Sequence, residues 1–524
     1  MHQINILRLG RHIISFTILM LSVCSCHERK YDTDLSLEYF SEISSERYSV
    51  DNSLLKEKIQ HLILSDRDKS ELDVSVRKYY KDNDVLLWVT RSGINSKADT
   101  LLKYLNDVRH IGFNPEKFYY SQIRNDIKTL RNLDFNDTDN INSVIARLEY
   151  YMTKAYVRYC TGQRYGFVNP AILYNTLEKD DSDTTNTRFI RLYDIPMQHP
   201  DRTYYNEAFR KILNDSIGIF LGESSPQNRL YDVLVTRLDN IKDKSKIKYI
   251  CNIERARWRL SDYPDKYKKY VFINIPSQTL EAVDGDERIP MKIIFGKTST
   301  KTPLLISKIN RIDFNPKWII PQSIIRKDVV KHVDDIDYFI RNNFYVTEKK
   351  TGEVIDLSDV TKEMLLSNDY RVIQEGGSGN SLGRVIFRFN NNFSVFLHDT
   401  SSPNVFTRTD RRASHGCIRV EKPFELAVFM LHEKEDNTIE RIKYSMTNDN
   451  HVKEQSEKRN THKVKSESAL TDSGLYLNSL KINPTVPLFI TYYTVYPVEN
   501  SEIREYNDIY GYDQVIYDHL KRFM

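Results

Sequence analysis

Near residue 268 the spacing of apolar residues changes, and that change divides the chain into two kinds of structure. From about 68 to 260 apolar residues recur at helical intervals. Leu101, Leu105 and Val108 form one stripe, broken at Gly112 and Pro115. Leu148, Met152, Ala155 and Tyr159 form a second, stopped near Gly166 and Pro170, and Leu230, Leu234 and Leu238 form a third. Beyond 268, the runs 270–275, 280–283, 291–295, 385–389, 395–397 and 488–495 are β-branched and aromatic, with turn residues between them. Residues 421–431 read as one helix opening near Pro423. The expected class is α+β: a helical N-terminal domain over 68–250, then a mainly-β domain over 251–515. A length of 524 residues agrees with more than one core. Two stretches interrupt the β half. Residues 320–380 are mixed and Asp-rich, ending in Gly376-Gly377-Ser378-Gly379, and suggest a lid-like insertion on a flexible hinge. Residues 447–474 are polar and suggest a disordered loop.

The first residues carry a targeting signal. Arg8 and Arg11 precede an apolar run over 13–23 that is too short to span a bilayer. The run ends in Val23-Cys24-Ser25-Cys26, which resembles the lipobox of bacterial lipoproteins. There, cleavage leaves a lipid-bearing Cys at the new N-terminus, and Cys26 fits because Ser25 is small. An ordinary cleaved signal peptide is the alternative. The expectation is a lipoprotein signal peptide over 1–26, a polar tether over 27–67, and membrane attachment through the N-terminal lipid only. Formal net charge is +4 with no dense basic block, which gives no footprint for nucleic acid.

Five cysteines are present. With Cys24 and Cys26 assigned to the signal, three thiols remain in a compartment that permits disulfides. Cys160 and Cys251 sit in helical stretches and read as small core residues; a bridge between them stays open. Cys417 differs, because it lies in Ser414-His415-Gly416-Cys417-Ile418-Arg419. A thiol attacks a carbonyl as thiolate, and a nearby imidazole makes that feasible at neutral pH. His398, at the end of a strand, is the candidate base, and His415 is a second neighbour. Gly416 permits a tight turn and a close approach of backbone N–H groups to an oxyanion. A helix beginning near Pro423 would lend its dipole to the thiolate. His398, His415, Cys417 and His432 match no common zinc spacing, so no metal is expected. Gly296-Lys297-Thr298 lacks the earlier Gly of a phosphate loop, since Met291 stands there, and reads as a strand-end turn. Tyr492, Tyr493 and Tyr510 are candidate cleft residues.

His398, followed after fifteen residues by Ser414-His415-Gly416-Cys417-Ile418-Arg419-Val420, resembles the signature of the L,D-transpeptidases with a YkuD-type catalytic domain. The likeness extends to Ser381-Leu382-Gly383-Arg384-Val385, to Asp313-Phe314-Asn315-Pro316-Lys317-Trp318 and to Asp508-Ile509-Tyr510-Gly511. In the helical half, Leu87-Trp88-Val89, His110-Ile111-Gly112-Phe113-Asn114-Pro115 and Gly162-Gln163-Arg164-Tyr165-Gly166-Phe167 resemble the scaffold of the large, periplasmic, YcbB-like subgroup. The peptidoglycan-binding module that this subgroup often carries has no room between Leu238 and Ile253. The resemblance implies a periplasmic enzyme without a cofactor. Cys417 would form a thioester with a tetrapeptide stem, releasing D-Ala, and a diaminopimelate-type amine would take the acyl group as a 3–3 cross-link. His398 would act as base. His415, Gly416, Arg419 and Ser414 are the implied substrate and oxyanion residues, with Ser414 and Asp399 ordering the loop. Arg419 would hold a substrate carboxylate or form a salt bridge within the turn. Carbapenem-type inhibition is a further implication. A hydrolase acting on the same bonds is the alternative.

Overall fold

The computed structural model describes residues 48–90, 93–179, 188–241, 243–449, 474–498 and 502–524. The N-terminal signal with Cys26, and nearly all of 447–474, lie outside the described residues. The chain forms two compact units. Of the described residues, the first comprises those up to Phe167, His199–Asn240 and Leu520–Met524; the second comprises those within Val168–Gln198 and Ile241–His519. Among the described residues no helix is long and apolar enough to cross a membrane.

The first unit is helical and is organised around Ile141–Tyr165, a helix of 25 residues buried along most of its length. The Asn140 side chain caps its start by accepting from Ser143 N. At its far end a Cβ on Gly162 would collide with the Phe167 ring, so only glycine admits that ring. Glu149, fully buried in the middle, accepts the amides of Leu87, Trp88 and Val89 at 2.7, 2.8 and 2.7 Å. A buried carboxylate satisfied in this way fixes the Leu87-Trp88-Val89 segment against the helix. The stretch expected as a polar tether contains a helix, Asn52–Ser65, capped by Asp51 and burying Leu55, Ile59 and Ile63. Those three residues are a helical stripe that the surrounding charges obscure. The last residues return to this unit: Phe523 packs among Phe113, Phe118 and Phe167, and its carbonyl accepts Asn114 N at 2.8 Å.

In the second unit ten strands form one sheet: β1 Tyr193–Asp194, β2 Lys269–Asn274, β3 Thr279–Asp284, β4 Glu287–Gly296, β5 Leu304–Phe314, β6 Val385–Phe389, β7 Leu397–His398, β8 Arg412–Ser414, β9 Ile418–Val420 and β10 Ser479–Thr491. The order is β6-β7-β9-β4-β3-β2-β10-β5-β1, with β8 beside β4. Because β6 also pairs with β5, eight strands close into a ring, which leaves few free edges. The helical-then-β class is as expected. The boundary moves, however: Val168–Gln198 and the helix Asp243–Arg257 belong with the sheet. Glu254 accepts Val168 N at 2.7 Å, β1 pairs in parallel with β5, and Tyr174 packs on Tyr193, Trp258 and Tyr512. The helix Arg229–Leu238 is followed directly by Asp243–Arg257, so no binding module intervenes.

The insertion over 320–380 has its own core. Four antiparallel strands (Trp318–Ile319, Phe344–Glu348, Val354–Ile355 and Tyr370–Gln374) and the helices Gln322–Lys327, Ile336–Arg341 and Lys362–Leu366 enclose Ile325, Phe339, Val346, Leu365 and Val372. Its glycine-rich end is tied down, contrary to the expected hinge. A Cβ on Gly376 would strike the Asn315 carbonyl, and Asn380 Nδ2 donates to the carbonyls of Glu375 at 2.8 Å and Pro316 at 3.1 Å.

Candidate active site

The site is built on two short parallel strands. Leu397 of β7 pairs with Ile418 of β9, and His398 pairs with Arg419. Leu397, Ile418 and Val420 turn inward and are buried. Side chains alternate along a strand, so Phe396, His398, Cys417 and Arg419 share the opposite face. The residues predicted as nucleophile, base and carboxylate ligand are therefore brought together by register alone.

His398 is 4% exposed. Its Nδ1 lies 3.4 Å from the Leu382 carbonyl. Donation there leaves Nε2 as the acceptor for a proton. Burial, helped by the Arg419 charge, pushes its pKa down to about 3, so the imidazole is neutral. The neighbouring Asp399 does not act on it through an ion pair. Its carboxylate accepts Arg384 N at 2.8 Å, and Gly383, at φ 68°, is bare because a Cβ would come within 2.5 Å of Asp399 Cγ. The Ser381-Leu382-Gly383-Arg384 motif thus orients the candidate base through a carbonyl and locks the loop behind it.

The Cys417 thiol is raised above its ordinary value by burial, while the Phe396 backbone hydrogen bond, Arg419 and Arg388 all favour the thiolate. Arg419 is desolvated, its Nε is buried without a partner, and it makes no ion pair among the described residues. The salt bridge within the turn is therefore not formed. His415 is exposed, with its pKa held down by partial burial and by Lys297.

Four expectations change. Ser414 is spent within the loop: its hydroxyl donates to the Cys417 carbonyl at 2.6 Å and accepts Gly416 N at 3.1 Å. Gly416, whose N–H is thereby used, is not an oxyanion donor; its contribution is the turn, at φ 119°. The Cys417 amide has no partner among the described residues and is the free donor. The helix expected beside the nucleophile spans Pro423–Met430, and β9 intervenes, so its dipole falls off before reaching Cys417. Tyr492 and Tyr510 are 3% and 6% exposed, which makes them core residues rather than cleft lining. Cys160 and Cys251 are both free, so the bridge left open is absent. His432 is exposed and outside the site.

Sequence reasoning missed Arg388 and Phe396. Arg388 sits over the Phe396 ring at 5.3 Å and binds Asp313 through Nε at 2.7 Å. A lone Arg within the apolar run Val385-Ile386-Phe387-Arg388-Phe389 was the available signal.

A half-buried thiol, a neutral imidazole and a guanidinium with no ion pair among the described residues share one face of a closed β ring, and define a candidate cysteine acyl-transfer site. Residues 268–442 match the YkuD family model, described as the L,D-transpeptidase catalytic domain, and residues 74–238 match the scaffold domain. The chain combines a YkuD L,D-transpeptidase catalytic domain with a scaffold domain, the YcbB-like architecture. A Haemophilus influenzae protein named "Putative L,D-transpeptidase" is 28% identical over 323 residues, covering 61% of this chain. The match spans 60% of that relative's length.

Proposed function

We propose that the protein is a peptidoglycan L,D-transpeptidase that forms 3–3 cross-links through a thioester on Cys417. The observation that carries this reading is the placement of Cys417, neutral His398 and Arg419, which has no ion pair among the described residues, on one sheet face. His398 Nε2 takes the thiol proton as sulfur attacks the carbonyl that joins the third stem residue to D-Ala. The tetrahedral oxyanion collects on the Cys417 N–H. Its collapse breaks the C–N bond, and the departing D-Ala amine receives the proton from His398. The side-chain amine of a neighbouring diaminopimelate-type stem then attacks the thioester and gives a proton to His398. The released thiolate is finally reprotonated. Arg419, a bidentate cation with no ion pair among the described residues, suits a stem carboxylate. The β-lactam carbonyl of a carbapenem would acylate the same sulfur, its ring C–N bond opening as the thioester forms. Export to the periplasm with lipid on Cys26 completes the reading.

Incubating the protein with disaccharide-tetrapeptide and identifying the products by mass spectrometry tests it. Dimers lacking one D-Ala are expected. Tripeptide without dimer would instead establish the hydrolase.

A further inference from the structure

A planar trans peptide points its C=O and its N–H in opposite directions. Fixing the Gly416 carbonyl therefore fixes the aim of the Cys417 amide. That carbonyl accepts the Thr302 hydroxyl at 2.8 Å. Thr302 is fully buried, and its oxygen also accepts Gly296 N at 2.9 Å. Its own N–H donates to the Tyr510 hydroxyl at 3.1 Å, and that hydroxyl donates to the Gly296 carbonyl at 2.8 Å. Each hydroxyl has one proton, and each proton has one destination. The chain of bonds therefore has a single direction, from Tyr510 through Gly296 and Thr302 to Gly416. Gly296 has to be glycine, because a Cβ there would meet Thr302 N at 2.7 Å. The same turn also grips the start of the nucleophile loop: the Ser414 carbonyl accepts Thr300 Oγ1 at 3.0 Å and Lys297 N at 3.1 Å.

We infer that Thr302 and Tyr510 are positioning residues for acyl transfer, which aim the Cys417 N–H at the developing oxyanion by pinning the Gly416 carbonyl behind it. This rests on Cys417 being the acylated nucleophile. Neither residue touches the thiol or the imagined substrate; both act through the Gly416–Cys417 peptide.

The test compares two reactions of Cys417 in the full chain. Acylation by a carbapenem passes through an oxyanion, whereas alkylation by iodoacetamide displaces iodide at carbon and forms none. Thr302→Val and Tyr510→Phe keep shape and lose the hydroxyl; Thr302→Ser keeps the hydroxyl. Acylation should fall roughly 10- to 100-fold in Thr302→Val and Tyr510→Phe, the scale of a misaimed reacting group. Alkylation should stay within about twofold, and Thr302→Ser should acylate within about threefold of wild type, because its oxyanion donor is still aimed. Thermal melting checks that each variant is folded, and the serine variant serves as the control if Thr302→Val is not. Unchanged acylation in Tyr510→Phe, or alkylation falling in step with acylation, would overturn the inference. Wild-type protein that alkylates but never acylates would overturn the proposed function, and the inference with it.

Discussion

At the scale of single residues, the proposed chemistry depends on a base that stays neutral. Burial holds His398 down to about 3, so its imidazole can accept a proton across the whole range in which the enzyme would work. Carbapenem acylation of Cys417 should therefore stay level from pH 8 to pH 5, with no loss centred on the ordinary imidazole value of about 6.5; stopped-time mass spectra at each pH check this. The same shift has a consequence for stability. The unfolded chain binds a proton on His398 below about pH 6.5 and the folded chain does not until about pH 3, so stability falls as pH drops through that window. His398→Gln should lessen the fall in melting temperature between pH 6.5 and 4. His398→Ala should slow acylation about 100- to 10,000-fold, the usual range for removal of a general base. Acylation near the wild-type rate in that variant would remove His398 from the mechanism. The candidate nucleophile and base were legible because a Gly-Cys turn and a strand-end His are local patterns. Thr302 was not, because its partners Gly416 and Tyr510 lie more than a hundred residues away and nothing local marks it.

At the scale of elements, short strands do the positioning. The strands over 270–275, 280–283 and 385–389 could be read from β-branched runs, and the structure places strands there. The longest interior strand before the insertion, Leu304–Phe314, escaped notice because Lys308, Arg311 and Asp313 interrupt its apolar pattern on a partly exposed face. β9 escaped as well, since three residues between a glycine turn and a helix carry too little pattern to call. Its parallel pairing with β7 sets the register of Cys417 against His398, which no local spacing reveals. The turn leaving β4 is equally exacting. Gly296→Ala would press a methyl group onto the backbone of Thr300 and Thr302. The cost should be about 1–3 kcal/mol of stability, as for other overpacked sites, read as a lower denaturation midpoint. An unchanged midpoint would mean the turn relaxes freely.

At the scale of the whole molecule, the change of period near 268 correctly separated a helical half from a β half, but connectivity within each unit was hidden. Val168–Gln198 reads as an extension of the helical half, yet Asn175 accepts the amides of Leu192 and Tyr193 at 2.8 and 3.0 Å and presents β1 to the sheet. The final residues show the converse. Phe523 is 5% exposed within the aromatic cluster of the first unit. Phe523→Ala should destabilise that unit by about 3–5 kcal/mol, the usual penalty for emptying a buried phenylalanine site. Denaturant unfolding measures the loss. Iodoacetamide labelling of Cys417 in the folded variant should match wild type, since Phe523 belongs to the other unit. Loss of labelling with stability unchanged would contradict that assignment.

Whether Cys417 carries the chemistry is decided by the intact mass of the protein after incubation with a carbapenem. The wild-type chain should gain the full mass of one ring-opened inhibitor, and Cys417→Ser should gain none. An equal adduct on Cys417→Ser, or none on the wild type, would contradict the assignment of Cys417 as the acylated nucleophile.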